Sequence, residues 1–155
     1  MKFEGNLSVK FVLETGLNIL IHGYDVDKVT ITGINADHPD IKSGLIDEWD
    51  ADNHLGILRK SISLRTNGEI KNWAPQDHSE FSPEHFLSFT EDNPEIILLG
   101  TGQHLRFPPQ DCLSVLQQQN LGYEIMDTAA ACRTFNVLAA EGRDVILAIM
   151  MIEAI

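Results

Sequence analysis

The sequence predicts an α/β (or α+β) fold: a single layered domain with a central mixed sheet, antiparallel strands or a hairpin in its N-terminal part, and a C-terminal strand-helix-strand-helix-strand unit. A β-hairpin pattern lies near residues 61–73, and three short apolar runs after residue 95 are separated by two segments with helix-start signals. Connections of that length favour parallel strands with right-handed crossovers. We expect the 155 residues to form one domain, residues 1–155, because no linker or repeat divides them.

The first third of the chain gives the weakest structural signals. Residues 29–32 are rich in β-branched side chains and predict a strand. The polar interruption at residues 25–28 favours a hairpin turn before that strand. Residues 35–54 are rich in Asp and contain Pro39 and Gly44, so we expect an acidic loop there.

The hairpin near the middle of the chain is the clearest local signal. Residues 61–65 alternate polar and apolar side chains, and Asn67-Gly68 follows directly. This dipeptide is typical of the type I′ turn, in which both central residues have positive φ. The sequence therefore predicts a type I′ hairpin whose return strand covers residues 69–73.

The second half predicts three helices alternating with three strands. Ser82-Pro83 has the chemistry of a helix start, and the apolar residues 96–99 predict a strand covered on both faces. A second helix is expected to begin at Pro108-Pro109 and to end at Gly122. The remaining elements are a strand over 123–126, a helix over 129–141 capped by Asp127 or Thr128 with Phe135 and Leu138 buried, and a strand over 145–152.

Composition limits the partners and the compartment. The formal net charge is −12, and no stretch is basic enough to counter the repulsion of a nucleic acid. The longest apolar run, residues 145–152, is far shorter than the roughly 20 residues of a membrane helix. The N-terminus shows no secretory signal pattern. We expect a soluble, acidic, cytoplasmic protein with no nucleic-acid partner and no membrane insertion.

The best candidate for a binding site follows the predicted strand at 96–99. Two glycines there would let a backbone approach a ligand, and Arg106 could pair with an anion. Asp127 and Thr128 end the next strand, and Asn136 lies on the helix that begins there. The dinucleotide fingerprint fails because Leu105 stands where its third glycine belongs. The alternatives are a small-anion pocket and a tight turn with a capped helix; the candidate edge comprises Gly100, Thr101, Gly102, Arg106, Asp127, Thr128 and Asn136.

Familiar catalytic and metal-binding patterns do not occur in the sequence. There is no H-E-x-x-H, C-x-x-C, P-loop or G-x-S-x-G motif. Cys132 falls near a predicted helix N-terminus, where a thiol pKa can be lowered, but its apolar neighbours favour packing. We therefore expect no catalytic residue, no metal and no cofactor.

Residues 99–102, 106–109 and 126–143 resemble a widespread domain of unknown function found in small bacterial proteins. The same domain occurs in a mitochondrial factor that assists complex I assembly and in a mammalian protein linked to adipogenesis. The resemblance is close over residues 95–150, extends more weakly to the hairpin and Trp73, and fades in the first 55 residues. It implies a layered α/β domain with a mixed sheet and no accepted catalytic residue or cofactor.

The resemblance also suggests which positions matter in this family. Its signature positions correspond to Gly100, Gly102, Asp127, Thr128, Thr134, Phe135, Asn136, Glu141 and Gly142. Two functions remain open. The first is a non-catalytic interaction or assembly-assisting protein with a protein partner. The second is a protein or enzyme that binds a small anionic ligand at the edge near Gly100 and Asp127.

Overall fold

The computed structural model describes residues 19–153. Four strands form an antiparallel sheet in the order β1-β2-β4-β3. β1 and β2 are the hairpin predicted at residues 25–28, and a β-bulge interrupts their register between Ile21 and Gly23. The bounds of these strands are Leu20–Asp25 (β1), Lys28–Thr32 (β2), Glu48–Asp50 (β3) and Leu55–Leu58 (β4).

A second, mixed sheet of five strands has the order β6-β5-β9-β7-β8. Its last three strands are mutually parallel, and β5 joins them antiparallel to β9. The predicted strand-helix-strand-helix-strand unit is therefore confirmed, as is the mixed sheet. The bounds are Ile62–Arg65 (β5), Ile70–Asn72 (β6), Ile96–Thr101 (β7), Gly122–Met126 (β8) and Val145–Met150 (β9).

Helices and the first sheet cover the two faces of the five-stranded sheet. On one face, α4 and the four-stranded sheet enclose a core that contains the fully buried Phe135, with Leu138 partly buried beside it. On the other face, α2 and α3 pack with Trp73 and three phenylalanines around a second core. The helices are Pro39–Lys42 (α1), Glu84–Asp92 (α2), Gln110–Gln118 (α3) and Thr128–Ala140 (α4), with a 3-10 turn at His78–Glu80.

The two sheets are tied together at one point by backbone hydrogen bonding. Val26, in the β1–β2 turn, forms an isolated parallel bridge with Ile152, just beyond β9. The amide of Asp27 donates to the carbonyl of Ile152 at 2.8 Å. The turn of the N-terminal hairpin is thus hydrogen-bonded to the residues that follow β9, the central strand of the other sheet.

Three local predictions were wrong. The acidic segment 35–54 is not only a loop, since it contains α1 and β3. The hairpin turn is not type I′: the amide of Gly68 donates to the carbonyl of Arg65, and only Gly68 of the Asn67-Gly68 pair has positive φ. This is a three-residue connection with glycine in the left-handed position. After α3, Asn120 takes the left-handed conformation, and Gly122 instead begins β8.

Candidate functional site

The candidate edge lies where β7, β8 and β9 end side by side. Because the three strands are parallel, their carboxyl ends meet at one side of the sheet, and α4 begins there. The turn after β7 also lies at this side, because Gly102 is hydrogen-bonded to Thr128 at the start of α4. The structure brings together Gly100, Thr101, Gly102, Asp127 and Thr128.

Thr128 is the centre of this arrangement and is fully buried. Its Oγ1 donates to the carbonyl oxygen of Met150 at 2.6 Å and accepts from the amide of Gly102 at 2.8 Å. The amide of Thr128 in turn donates to the carbonyl of Gly102 at 2.8 Å. One hydroxyl thus joins the end of β9, the turn after β7 and the first residue of α4.

Gly100 is required by the close approach of α4 to β7. A Cβ at this position would lie 2.9 Å from Cγ2 of Ile149 and 3.1 Å from both Cα and Oγ1 of Thr128. Neither a helix backbone nor a neighbouring strand moves aside readily, because packed interiors contain little free volume. The glycine therefore allows the helix to sit directly on the sheet.

Thr101 organises the segment that follows β7. Its Oγ1 lies 2.7 Å from the carbonyl oxygen of His104 and 3.1 Å from that of Met126, and it accepts from the amide of Arg106 at 3.1 Å. Gly102 has φ +92°, a value that glycine adopts without strain. These contacts fold residues 102–106 into a compact turn.

Two further residues of the candidate edge, Asp127 and Asn136, also bond within the chain. Asp127 caps the helix, because its Oδ1 accepts from the amide of Ala130 at 2.8 Å. Asn136 lies eight residues beyond Thr128, about 12 Å along the helix axis, so it is not part of the cluster. Its amide group donates to the carbonyl of Ile21 at 2.8 Å and accepts from the amide of Ile21 at 2.9 Å.

Arg106 is the exposed cation of this edge. Hydrogen bonds from Ser79 hold the pKa of Asp77 below its usual value, and the positive charge of Arg106 adds to that lowering. The guanidinium therefore lies within electrostatic reach of an acidic residue. Most polar groups of the candidate edge already form hydrogen bonds within the protein. Only Arg106 offers an exposed charge to a ligand, and the ligand site stays a prediction.

The buried cysteines are poor nucleophiles. Desolvation raises the pKa of Cys132 to about 12, which outweighs the lowering effect of the Arg133 charge. Burial also raises the pKa of Cys112 to about 11. Both thiols are buried and free, so they remain protonated at neutral pH. In residues 19–153, no group of His, Cys, Asp and Glu side chains is arranged to hold a metal ion.

An apolar groove beside β8 was not found by sequence reasoning. It has a volume of about 260 Å³ and is lined by Phe107, Leu113, Tyr123, Glu124 and Ile125. Phe107 is 66% exposed, and the nearby Leu105 is 55% exposed. The signal in the sequence is the pair of apolar residues Leu105 and Phe107 in the segment that follows β7.

These features define a class of protein: an α/β domain with two sheets, in which a threonine at the start of α4 closes the strand-end turn. The chain belongs to the family described as protein of unknown function (DUF498/DUF598), whose model matches residues 21–150. The family resemblance found in the sequence is thereby confirmed.

Relatives of the chain have varied descriptions. It is 31% identical over 93 residues to the "13 kDa major membrane protein" of Francisella tularensis, an alignment that covers 60% of this chain and 72% of that one. It is 34% identical over 76 residues to rat NADH dehydrogenase [ubiquinone] 1 alpha subcomplex assembly factor 3. That alignment covers 48% of this chain and only 41% of the assembly factor.

Solved structures confirm the fold. A Bordetella pertussis protein described as an Mth938-like domain superposes with a TM-score of 0.64 at 21% identity, covering 90% of this chain and 89% of that one. At this identity the likeness concerns the fold alone. As for membranes, none of the helices between residues 19 and 153 has the length and apolar composition of a spanning segment.

Proposed function

We propose that this chain is a non-catalytic interaction domain that assists the assembly of a protein complex. The observation that carries the proposal is the exposed Phe107, which lines an apolar groove beside β8, the outer strand of the five-stranded sheet. A large aromatic side chain left in water beside a groove is typical of a surface that a protein partner covers.

The chemistry of the neighbouring residues supports this choice over catalysis. Thr101, Asp127 and Thr128 use their side chains to hold the turn and the helix in place. Cys132 has a raised pKa and lies in the core. The similarity to a complex I assembly factor adds support, although the alignment spans less than half of that protein.

Site-specific photo-crosslinking tests the proposed function. A photo-reactive amino acid would replace Phe107 in the native host, and a matched variant would carry it at Leu87, which is 50% exposed on α2. We expect a discrete set of adducts from position 107 only. In cells that lack the protein, native gels should show an unfinished complex that contains the captured partner. Equal adduct patterns from both positions, or unchanged complexes in those cells, would contradict the proposal.

A second candidate function is the binding of a small anion, and the exposed Arg106 favours it. Inorganic phosphate at millimolar concentration should then raise the Tm, because a ligand that binds only the folded state stabilises it. Arg106→Ala should remove most of this shift while changing the Tm of the free protein little. Absence of any shift in the wild type would show that the segment is only a turn.

We further infer that the protein acts in the bacterial cytoplasm, where its net charge of −12 would favour solubility. The Francisella tularensis relative named a membrane protein makes this worth testing directly. Fractionation of native cells should place the protein in the supernatant of a high-speed spin. Recovery in the pellet that resists a salt wash would place it at a membrane instead.

A further inference from the structure

Within residues 19–153 the two sheets have four outer strands, and three of them are protected against pairing with another chain. β1 carries a bulge, and Asn136 occupies both the amide and the carbonyl of Ile21. β3 has three residues, with Glu48 ion-paired to Arg59. β6 also has three residues, and its Lys71 is paired with an acidic residue of α2 at 3.1 Å. Bulges, short length and edge charges are the usual ways of blocking an exposed strand.

β8 is the exception among these four strands. It pairs with β7 on one side, and no residue between 19 and 153 pairs with its other side. Its five residues, Gly122–Met126, include no proline, no lysine and no bulge, and its one charged side chain, Glu124, has no ion pair with any residue between 19 and 153. An open strand of this kind presents unpaired backbone groups that can bind an extended segment.

The side chains along β8 would favour such a segment. Tyr123 and Ile125 face the groove that Phe107 and Leu113 complete. Successive side chains of a strand point to opposite faces, so Glu124 points to the α4 side of the sheet. An added strand would therefore place alternate side chains over the apolar groove and the intervening one next to Glu124.

Charge identifies the kind of partner. Glu124 is exposed, is the only charged residue of β8, and belongs to a chain with a net charge of −12. A second copy of the chain is disfavoured, because full antiparallel overlap of two β8 strands would place the two Glu124 side chains directly opposite each other. Like charges in that position are destabilising, whereas opposite charges stabilise the pair.

We propose that the open edge of β8 binds an extended segment of a partner protein in which a lysine or arginine stands between two apolar residues. The basic residue pairs with Glu124, and its two neighbours enter the groove beside Phe107. The proposal rests on the proposed interaction function and adds the surface and the chemistry of the partner.

Peptide titrations followed by NMR of the ¹⁵N-labelled protein test this edge. Three nine-residue peptides serve as probes: valine alternating with lysine, the same peptide with its central valine replaced by proline, and valine alternating with glutamate. The lysine peptide at up to millimolar concentration should shift the amides of residues 122–126 and of Phe107. The proline peptide keeps the charges but cannot continue a strand, so it should bind at least tenfold more weakly, as should the glutamate peptide.

Matched variants distinguish binding at the β8 edge from non-specific attraction of the peptide to the negative charge of the protein. Phe107→Ala and Glu124→Lys should each weaken the lysine peptide at least tenfold. Leu87→Ala and Glu91→Lys, which alter exposed positions of α2 in the same ways, should change its Kd less than twofold. Equal effects of the two lysine substitutions, shifts spread over the acidic surface, or no shift in β8 would overturn the proposal.

Two other occupants of the edge have distinct outcomes. If removal of residues 1–18 makes the β8 amides exchange rapidly with solvent, the chain covers its own edge and the proposal fails. If the β8 amides are protected only at concentrations where the protein dimerises, the occupant is a second copy. The proposed function is tested separately: if Glu124→Lys cross-links to the same partners from position 107 as the wild type, the edge proposal fails while the interaction function stands.

Discussion

Thr128→Val tests whether this residue is structural or available to a ligand, because valine keeps the shape of threonine and removes only the hydroxyl. The substitution leaves the buried amide of Gly102 and the carbonyl of Met150 without their partner on Thr128. Leaving a buried polar group unpaired costs about 1–3 kcal/mol. We therefore expect Thr128→Val to lower the free energy of unfolding by about 2–4 kcal/mol.

Steric fit adds to this cost. Oγ1 of Thr128 lies only 2.6 Å from the carbonyl oxygen of Met150. A methyl group needs roughly 3.3 Å or more from an oxygen, so α4 must shift slightly away from β9. Thr128→Ser, which keeps the hydroxyl, is the matched control and should cost about 1 kcal/mol for the lost methyl group.

Urea unfolding followed by Trp fluorescence, together with thermal melts, would measure both variants. For a chain of this size the expected loss in Thr128→Val corresponds to a fall in Tm of roughly 10 °C. A loss below about 1 kcal/mol would refute the structural role of the hydroxyl, and so would an equal loss in Thr128→Ser. In either case the residue would again be available to a ligand.

Three further predictions follow from contacts elsewhere in the molecule. Gly100→Ala should lower the free energy of unfolding by about 1–3 kcal/mol in denaturant titrations, because the new methyl group collides with β9 and α4; a neutral result would contradict the close packing of α4. A thiol reagent at pH 8 should label Cys112 and Cys132 no faster than the protein unfolds, since burial raises both pKa values, and a fast-labelled thiol would contradict this. Hydrogen bonding to Arg65 lowers the pKa of Asp144, so the pair stabilises the fold above the unfolded pKa of about 4 and loses that effect as the pH falls through the folded value. Asp144→Asn should therefore cost up to about 1 kcal/mol at pH 7 and little in acid, as stability measurements at both pH values would show; a loss that is equal at both pH values would contradict the role of the charge.

Local sequence signals predicted the elements that have a distinctive pattern of their own. The apolar run 96–99, the caps around residues 127–128 and the apolar run 145–152 each have a pattern that one element explains, and all three appear. β3 was missed because its three residues become a strand only by pairing with β4. A pattern limited to residues 48–50 does not reveal this pairing, although β4 begins only five residues after β3 ends.

The candidate site shows the same contrast between what a local pattern predicts and what depends on strand pairing. The sequence placed Gly100, Thr101, Gly102, Asp127 and Thr128 at one edge because parallel strands end together, and they do meet there. The partners of each hydroxyl depend on which strands are neighbours, which no local pattern reveals.

Asn136 shows why a partner that is distant in the sequence could not be predicted. It was expected at the strand-end edge, yet it bonds to Ile21, 115 residues away in the sequence. That partner lies in the part of the chain whose sequence signals were weakest.

The position of β9 has a consequence for how the protein is made. β9 lies between β5 and β7, so it joins the β5–β6 hairpin to the parallel strands β7 and β8. It is also the last of these five strands to be synthesised. β5 and β7 each lack their second neighbour until residue 150 has left the ribosome. Such long-range pairing slows folding and leaves open strand edges on the nascent chain. We therefore expect the five-stranded sheet to close only after residue 150 has been translated.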